Sequence, residues 1–115
     1  MLPSVLRLKK KKDFERVFNL GHTSSGDFFI LKQVSNSLSF TRFGFIVSTK
    51  VSSKATDRNK LRRQISEIIR LNLEKIKTGF DVVIIFKRFA QGKEYLKLEK
   101  ELDTLFIKNK LYIIK

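Results

Sequence analysis

The sequence predicts a single α+β domain in which a small mixed sheet packs against helices. At 115 residues the chain is long enough to bury one hydrophobic core but too short for two. Segments with helical periodicity alternate with short apolar runs in the order αβββαβα. No internal repeat and no Pro-rich or Gly/Ser-rich linker divides the chain, so residues 1–115 are treated as one domain.

The first helix is predicted over residues 13–20. Phe14, Val17 and Phe18 follow the i, i+3, i+4 spacing of one helical face, and Gly21 can cap the C-terminal end. Residues 1–12 are rich in lysine and offer little to bury beyond Leu6 and Leu8. We therefore expect a basic, mobile N-terminal tail before the helix.

Two strands are predicted at residues 27–34 and 39–48, where Phe, Ile, Leu and Val are frequent. The polar Ser35-Asn36-Ser37 between them favours an antiparallel hairpin. Residues 22–25 can add a short edge strand before it. Gly44 lies inside a strand, where glycine indicates a bulge or a close approach of another group.

The longest periodic segment, residues 57–77, predicts an amphipathic helix with Asp57 as N-cap and Gly79 as its stop. Its apolar stripe consists of Leu61, Ile65, Ile68, Ile69, Leu73 and Ile76. Residues 80–86 form a nearly uninterrupted apolar run, typical of a central strand that is covered on both faces. Leucines between residues 96 and 106 predict a last helix, and residues 112–114 form a short apolar end.

The charge balance indicates a polyanionic partner. The chain has 25 Lys and Arg against 11 Asp and Glu, a formal net charge of +14. Such an excess destabilises the compact state through self-repulsion unless a polyanion neutralises it. Nucleic acid is the leading candidate; an anionic membrane surface is the alternative, although no apolar run approaches the roughly 20 residues of a spanning helix.

The residue types of a self-sufficient enzyme are scarce. With one His and no Cys, the common nucleophile, acid/base and zinc arrangements lack parts. His22 is predicted to be solvated, and the acids of the last helix read as a solvated face: Glu94, Glu99, Glu101 and Asp103. The first residues run from apolar to basic, the reverse of a signal peptide, so we expect a cytoplasmic protein.

The start of the long helix carries the most informative cluster, Arg58-Asn59-Lys60-Leu61-Arg62-Arg63, with Arg70 further on. At 100° per residue, Asn59, Arg63, Ser66 and Arg70 lie opposite the apolar stripe and Arg62 flanks it. Few acids balance this cluster, and guanidinium groups bind phosphates bidentately. RNA binding is therefore favoured over a plain solvated face.

The same cluster, preceded by Phe45-Ile46-Val47-Ser48-Thr49-Lys50-Val51, resembles the signature of the bacterial ribonuclease P protein, RNRxKRxxRE after a GLSVSKK-like strand. Asp13-Phe14-Glu15-Arg16-Val17-Phe18 is similar to the family's first helix, and Asp81-Val82-Val83-Ile84-Ile85 to its last strand. The resemblance covers most of the chain. Lys60, Ser66 and Ser52 depart from the pattern, where the family has Arg, Arg and Gly. Because Lys60 loses the guanidinium fork and Ser66 loses both fork and charge, we expect a weaker or shifted phosphate footprint.

The resemblance implies a fold with a left-handed βαβ crossover and assembly with a catalytic RNA, whose bound Mg²⁺ supports cleavage of the 5′ leader from precursor tRNA. It nominates residues for binding the RNA subunit: Arg58, Asn59, Lys60, Arg62, Arg63 and Arg70. It nominates others for the leader: Phe14, Phe18, Ile30, Lys32, Ser48, Lys50, Arg58 and Asn59. No catalytic or metal-ligating residue, membrane or DNA partner is expected. A general RNA-binding module such as a ribosomal protein is the alternative.

Overall fold

The computed structural model describes residues 2–113 and contains three helices and a four-stranded sheet in the predicted order αβββαβα. The elements are α1 Lys11–Leu20, β1 His22–Ser25, β2 Phe29–Ser35, β3 Arg42–Ile46, α2 Ala55–Leu71, β4 Phe80–Phe86 and α3 Tyr95–Lys108. The α+β class is confirmed. No helix within residues 2–113 is long and apolar enough to cross a membrane.

The strand order is β1-β2-β4-β3, with β2 antiparallel and β3 parallel to β4. The predicted β2–β3 hairpin is therefore wrong, whereas the edge position of β1 and the central position of β4 are confirmed. Val82, Val83 and Ile84 are fully buried, and they obtain cover on both faces because β4 lies between its neighbours. The side-chain amide of Asn36, just after β2, donates to the carbonyls of Phe40, before β3, and Phe80, at the start of β4. Asn36 thereby ties together the three strand ends around β4.

The helices lie on both faces of the sheet. The larger core is formed on one face, where α2 and α3 contribute buried residues such as Ile65 and Leu102 against Phe29 and Phe43 of the sheet. Helix α1 covers the other face, where its Val17 packs in a smaller core with Val83. Strand β3, helix α2 and strand β4 form a parallel βαβ unit. The left-handedness of its crossover connection remains a prediction.

The N-terminal segment contributes to the fold more than predicted. Leu2 and Leu8 are 2% and 7% exposed, and the Leu8 N–H donates to the Phe43 carbonyl at 2.8 Å. The predicted burial of Leu8 is confirmed and Leu6 is half-buried, but the burial of Leu2 was not predicted. Helix α1 also begins two residues earlier than predicted, at Lys11.

Both predicted ends of α2 are corrected. The helix begins at Ala55, so Asp57 is not the N-cap; its carboxylate accepts a hydrogen bond from the Ser52 hydroxyl at 2.9 Å. The helix ends at Leu71, where the side-chain amide of Asn72 donates to the Ile68 carbonyl at 2.7 Å and caps the last turn. Gly79 therefore does not stop the helix but adopts φ +92° in the turn before β4.

Two acids of α3 do not belong to a solvated face, which corrects the prediction for them. Glu101 accepts hydrogen bonds of 2.5–2.9 Å from three consecutive backbone N–H groups, those of residues 27–29 in the β1–β2 turn. Asp103 accepts a hydrogen bond from the Tyr112 hydroxyl. Burial, together with this bond, raises the pKa of Tyr112. Of the predicted apolar end, residue 114 lies outside the described residues.

A buried carboxylate joins the sheet to α1. Asp81 in β4 is 0% exposed and pairs with the Arg42 guanidinium of β3 through two hydrogen bonds of 2.7 and 2.9 Å. The hydrogen bond to Asp81 raises the pKa of Arg42. Helix α1 contributes Arg16, 3.8 Å from Asp81, and Asp13, 3.4 Å from Arg42. Four charged side chains from three elements thus form one network.

Replacing Arg42 by Ala should lower the free energy of unfolding by about 3 kcal/mol, because it leaves the buried Asp81 without its main partner. This is the lower end of the usual range, since the Arg42 side chain is 22% exposed and Arg16 remains nearby. Urea denaturation measures the change. Lys11→Ala, which removes an exposed ion pair with Glu15, is the control and should have little effect. Equal stabilities for the two variants would contradict a structural role for the network.

Candidate nucleic-acid interface

Helix α1 crosses the sheet from β3 towards β2 and turns an aromatic flank to one side. The Phe14 ring lies directly over Gly44, where an added Cβ would come within 2.6 Å of a ring carbon. The close approach predicted for Gly44 is therefore confirmed. Phe18, one turn later, is 40% exposed. The structure thus separates the two aromatic residues: Phe14 is half-buried against the sheet, and Phe18 presents much of its ring to solvent.

A row of half-buried isoleucines forms a floor beside this flank. Ile30 of β2 pairs with Ile85 of β4, which in turn pairs with Ile46 of β3. Side chains alternate along a strand, so all three point to the face that carries α1. Ile46 and Ile85 pack with Phe14 against the smaller core. An apolar groove therefore runs across three strands, parallel to α1.

Lys32 is brought to the end of the groove near Phe18. It lies on the same face of β2 as Ile30, as the strand period predicted. Its ammonium is 5.7 Å from the centroid of the Phe18 ring and 3.0 Å from the Thr23 hydroxyl oxygen. The structure thereby places three of the predicted leader residues, Phe18, Ile30 and Lys32, in one neighbourhood.

The opposite wall of the groove is basic. Ser48 and Lys50 are exposed but do not share a strand face, which corrects the prediction, because β3 ends at Ile46 and the chain turns there. The Ser48 hydroxyl accepts the Lys50 N–H at 3.3 Å within that turn. Both residues line an open depression of about 550 Å³ together with a segment that follows β4 and includes Lys87, Arg88 and Phe89.

Those three residues were missed by the sequence analysis. Phe89 is 65% exposed and follows two cations directly after the central strand. In the sequence, Lys87-Arg88-Phe89 places an aromatic residue beside two cations, a combination typical of surfaces that bind single-stranded RNA. This pattern could have identified the segment. The predicted strand ends at residue 86, and no role was predicted for residues 87–89.

The first turns of α2 form a second basic surface, here called the α2 patch: Arg58, Asn59, Lys60, Arg62 and Arg63. Asn59, Lys60 and Arg63 are exposed, and Arg62 donates to the Asn59 side-chain oxygen at 3.0 Å. An open depression of about 380 Å³ lies beside Asn59, Arg62 and Arg63. The predicted outward position is confirmed for Asn59 and Arg63, and Arg62 is half-buried, in keeping with its predicted place beside the apolar stripe.

Arg58 links the α2 patch to the groove. Its guanidinium donates to the Ser52 carbonyl at 2.9 Å, in the loop that also carries Ser48 and Lys50. The Ser52 hydroxyl accepts the Lys54 N–H at 3.2 Å. Ser52 stands where the family signature has Gly. Its contacts therefore help to fix the loop between the α2 patch and the groove.

Two other positions on α2 differ from their predicted roles. Ser66 is 2% exposed, so its expected place on the outward face is wrong. Arg70 is exposed but pairs with Glu67 at 2.6 Å, and this hydrogen bond lowers the pKa of Glu67. The charge of Arg70 is thus offset locally, in contrast to that of Arg63. Arg70 adds less to the net charge of the α2 patch than its spacing suggested.

The described part of the chain contains no cluster of three or more His, Asp or Glu side chains that could hold a metal ion. His22 lies exposed on the edge strand β1. Asp13 and Asp81, the acids nearest the groove, are engaged with Arg42. The geometry therefore offers basic and aromatic contacts for a polyanion, and its nearest acids are committed to the fold.

Comparison with known proteins agrees with this geometry. The family model described as Ribonuclease P matches residues 2–110. The ribonuclease P protein component of Fusobacterium nucleatum is 39% identical over 108 residues, covering 90% of this chain and 96% of the relative. That of Synechocystis is 41% identical over 106 residues, covering 91% and 86%.

Solved structures show the same fold. The Staphylococcus aureus RNase P protein superposes with a TM-score of 0.87 at 27% identity, covering 94% of this chain and 98% of that one. The Thermotoga maritima protein gives 0.80 at 31% identity, covering 86% and 93%. With a family model that matches nearly the whole chain and relatives near 40% identity, this protein belongs to the ribonuclease P protein family, the protein components of the ribonucleoprotein endoribonuclease that processes the 5′ end of tRNA.

Proposed function

We propose that this protein assembles with the catalytic RNA subunit of ribonuclease P through the α2 patch and holds the 5′ leader of precursor tRNA in the groove beside α1. The observation that carries the proposal is the pairing of two different surfaces on one small domain. The groove has an aromatic wall and a basic wall, whereas the α2 patch is basic and almost free of aromatic side chains.

The groove suits a single strand. Phe18 offers an exposed ring on which a base can stack, and the isoleucine floor adds apolar contact. Lys32 at one end and Lys50 on the opposite wall can meet phosphates of the same strand. Stacking accepts any base, so such a groove binds leaders of different sequence. Arg88 extends the basic wall.

The α2 patch suits folded RNA. Arg62 and Arg63 project guanidinium forks from a helix, where they can bind phosphate oxygens bidentately. Lys60 keeps a positive charge but lacks the fork, so its contact is less directional. Arg58, held by the Ser52 carbonyl, lies where the two RNAs would meet.

In this proposal the RNA subunit, with Mg²⁺ bound mainly through RNA, supplies the hydrolytic chemistry. The protein contributes binding and orientation of the substrate. Its action is placed in the cytoplasm, and neither a membrane nor DNA is part of it. The protein should favour precursor over mature tRNA, since the mature product lacks the leader that occupies the groove.

Protein freed of nucleic acid should not cleave precursor tRNA in the presence of Mg²⁺, because cleavage depends on the RNA subunit. Adding that RNA should restore removal of the leader. Gel analysis of end-labelled precursor tRNA measures both reactions. Turnover by the protein alone, resistant to ribonuclease treatment of the preparation, would assign the chemistry to the protein instead.

Replacing Arg62 or Arg63 by Ala should weaken binding of the RNA subunit. Each phosphate contact that is lost should reduce the slope of log affinity against log salt concentration by roughly 0.9. Salt titrations of assembly measure this slope. Arg70→Ala is the matched control, because its charge is already offset by Glu67, and it should change the slope less. Unchanged slopes in both patch variants would show that the patch is a solvated face.

Replacing Phe18 by Ala should weaken binding of precursor tRNA by about 1–3 kcal/mol if a base stacks on the ring, and leave binding of mature tRNA nearly unchanged. Its exposure predicts little loss of folding stability. Phe14→Ala should behave differently and lower the thermal midpoint as well, because the Phe14 ring packs on Gly44. Both affinities are measured on assembled holoenzyme. Equal loss for precursor and mature tRNA in Phe18→Ala would exclude a leader contact at this position.

A further inference from the structure

A further concave surface lies beside α3, on the side of the sheet opposite α1. Helix α3 and the β1–β2 turn enclose an open cavity of about 400 Å³. Three lysines of α3 line it, namely Lys97, Lys100 and Lys108, and Thr104 lies between them. Their spacing places them along one side of the helix. Lys97 and Lys108 are eleven residue steps apart, about 16 Å along the helix axis.

These lysines lack the acidic partners that helical spacing would give them. Glu101 stands four residues after Lys97, but its carboxylate is occupied by the three backbone N–H groups of the β1–β2 turn. Asp103 stands three residues after Lys100 and accepts the Tyr112 hydroxyl. Within residues 2–113, no ion pair shorter than 4.0 Å involves Lys97, Lys100 or Lys108.

The charged residues that line or border the cavity are mostly positive. Asp27 and Glu101 also line the cavity, and Glu101 is compensated by its three amide donors. Lys87 donates to the Gly26 carbonyl at 2.6 Å, at the edge of the cavity. Lys93 lies 5.8 Å from the ring centroid of Phe28, another lining residue. Five lysines thus surround two carboxylates.

We propose that this cavity, the α3 site, is a further RNA-binding surface that takes the phosphodiester backbone of the RNA subunit, outside the α2 patch and the groove. The inference rests on the proposed assembly with that RNA. Lysine binds phosphate as a point charge without a fixed geometry, so a lysine wall suits a backbone ridge and not a particular base. The concave α3 site can receive the convex backbone of an RNA helix. A flat lipid bilayer would contact only the rim of the cavity.

The first test compares two double variants with the same net charge. Lys97→Gln with Lys100→Gln should weaken assembly with the RNA subunit several-fold and reduce the salt slope by roughly 1–2, which corresponds to one or two phosphate contacts. Lys75→Gln with Lys77→Gln, in the connection between α2 and β4, is the control and should leave the slope near its original value. Equal losses in both pairs would indicate a general charge effect and overturn the α3 site.

The second test uses the absence of cysteine from the sequence. A single Thr104→Cys can carry a photo-crosslinker into the cavity, because the Thr104 side chain is exposed. We expect crosslinks to discrete nucleotides of the RNA subunit in assembled holoenzyme. Thr56→Cys, beside the α2 patch, serves as the reference.

The outcomes separate the α3 site from the proposed function. Crosslinks from position 56 without any from position 104 would overturn the α3 site and leave the proposed function standing. Failure of the unmodified protein to assemble with the RNA would overturn both. Binding to anionic phospholipid vesicles that the Lys97/Lys100 variant loses, with RNA affinity unchanged, would assign the cavity to a lipid surface and contradict the proposal.

Discussion

The buried Asp81 carboxylate is the constraint on which the arrangement of the sheet and α1 depends. An uncompensated charge at a fully buried position would cost several kcal/mol, so its partners must be present in the folded state. They come from separate parts of the chain: Arg42 from β3, Asn36 from the turn after β2, and Arg16 from α1. Satisfying one carboxylate therefore places β3 beside β4 and lays α1 across both. The groove beside α1 is a consequence of that placement.

Element types and order followed from the sequence because periodicity is a local property, but the pairing of strands did not. Ser35-Asn36-Ser37 resembles a hairpin turn, and chain neighbours usually pair. The decisive contacts are long-range: Asn36 bonds to residues more than forty positions later. Asp81 was a usable signal, since an acid that begins an otherwise apolar central strand requires partners from outside the strand. Those partners could not be identified from spacing.

The site residues divide in the same way. Helical periodicity gave the outward face of α2 correctly for Arg63 but placed Ser66 there too. Ser66 is buried because α2 packs against both the sheet and α3, which widens the buried arc beyond one stripe. Ser48 and Lys50 were assigned to a strand that had already ended. The resemblance named the positions, whereas the structure shows their exposure, which favours Phe18 over Phe14 for the proposed stacking contact.

Acidic and basic side chains have different roles in this fold. Several of the acids are used internally: Asp81 and Asp13 hold Arg42, Glu101 binds backbone amides, and Asp103 accepts the Tyr112 hydroxyl. Because these acids are engaged, few are left to pair with the surface cations of this strongly basic chain, and those cations repel one another. A polyanion that binds the folded chain relieves this repulsion, and at 100 times its dissociation constant it would add about 2.7 kcal/mol to stability by mass action. In the proposed assembly, folding stability and RNA binding are therefore coupled, since the unpaired cations that weaken the free domain are the groups proposed to bind the RNA.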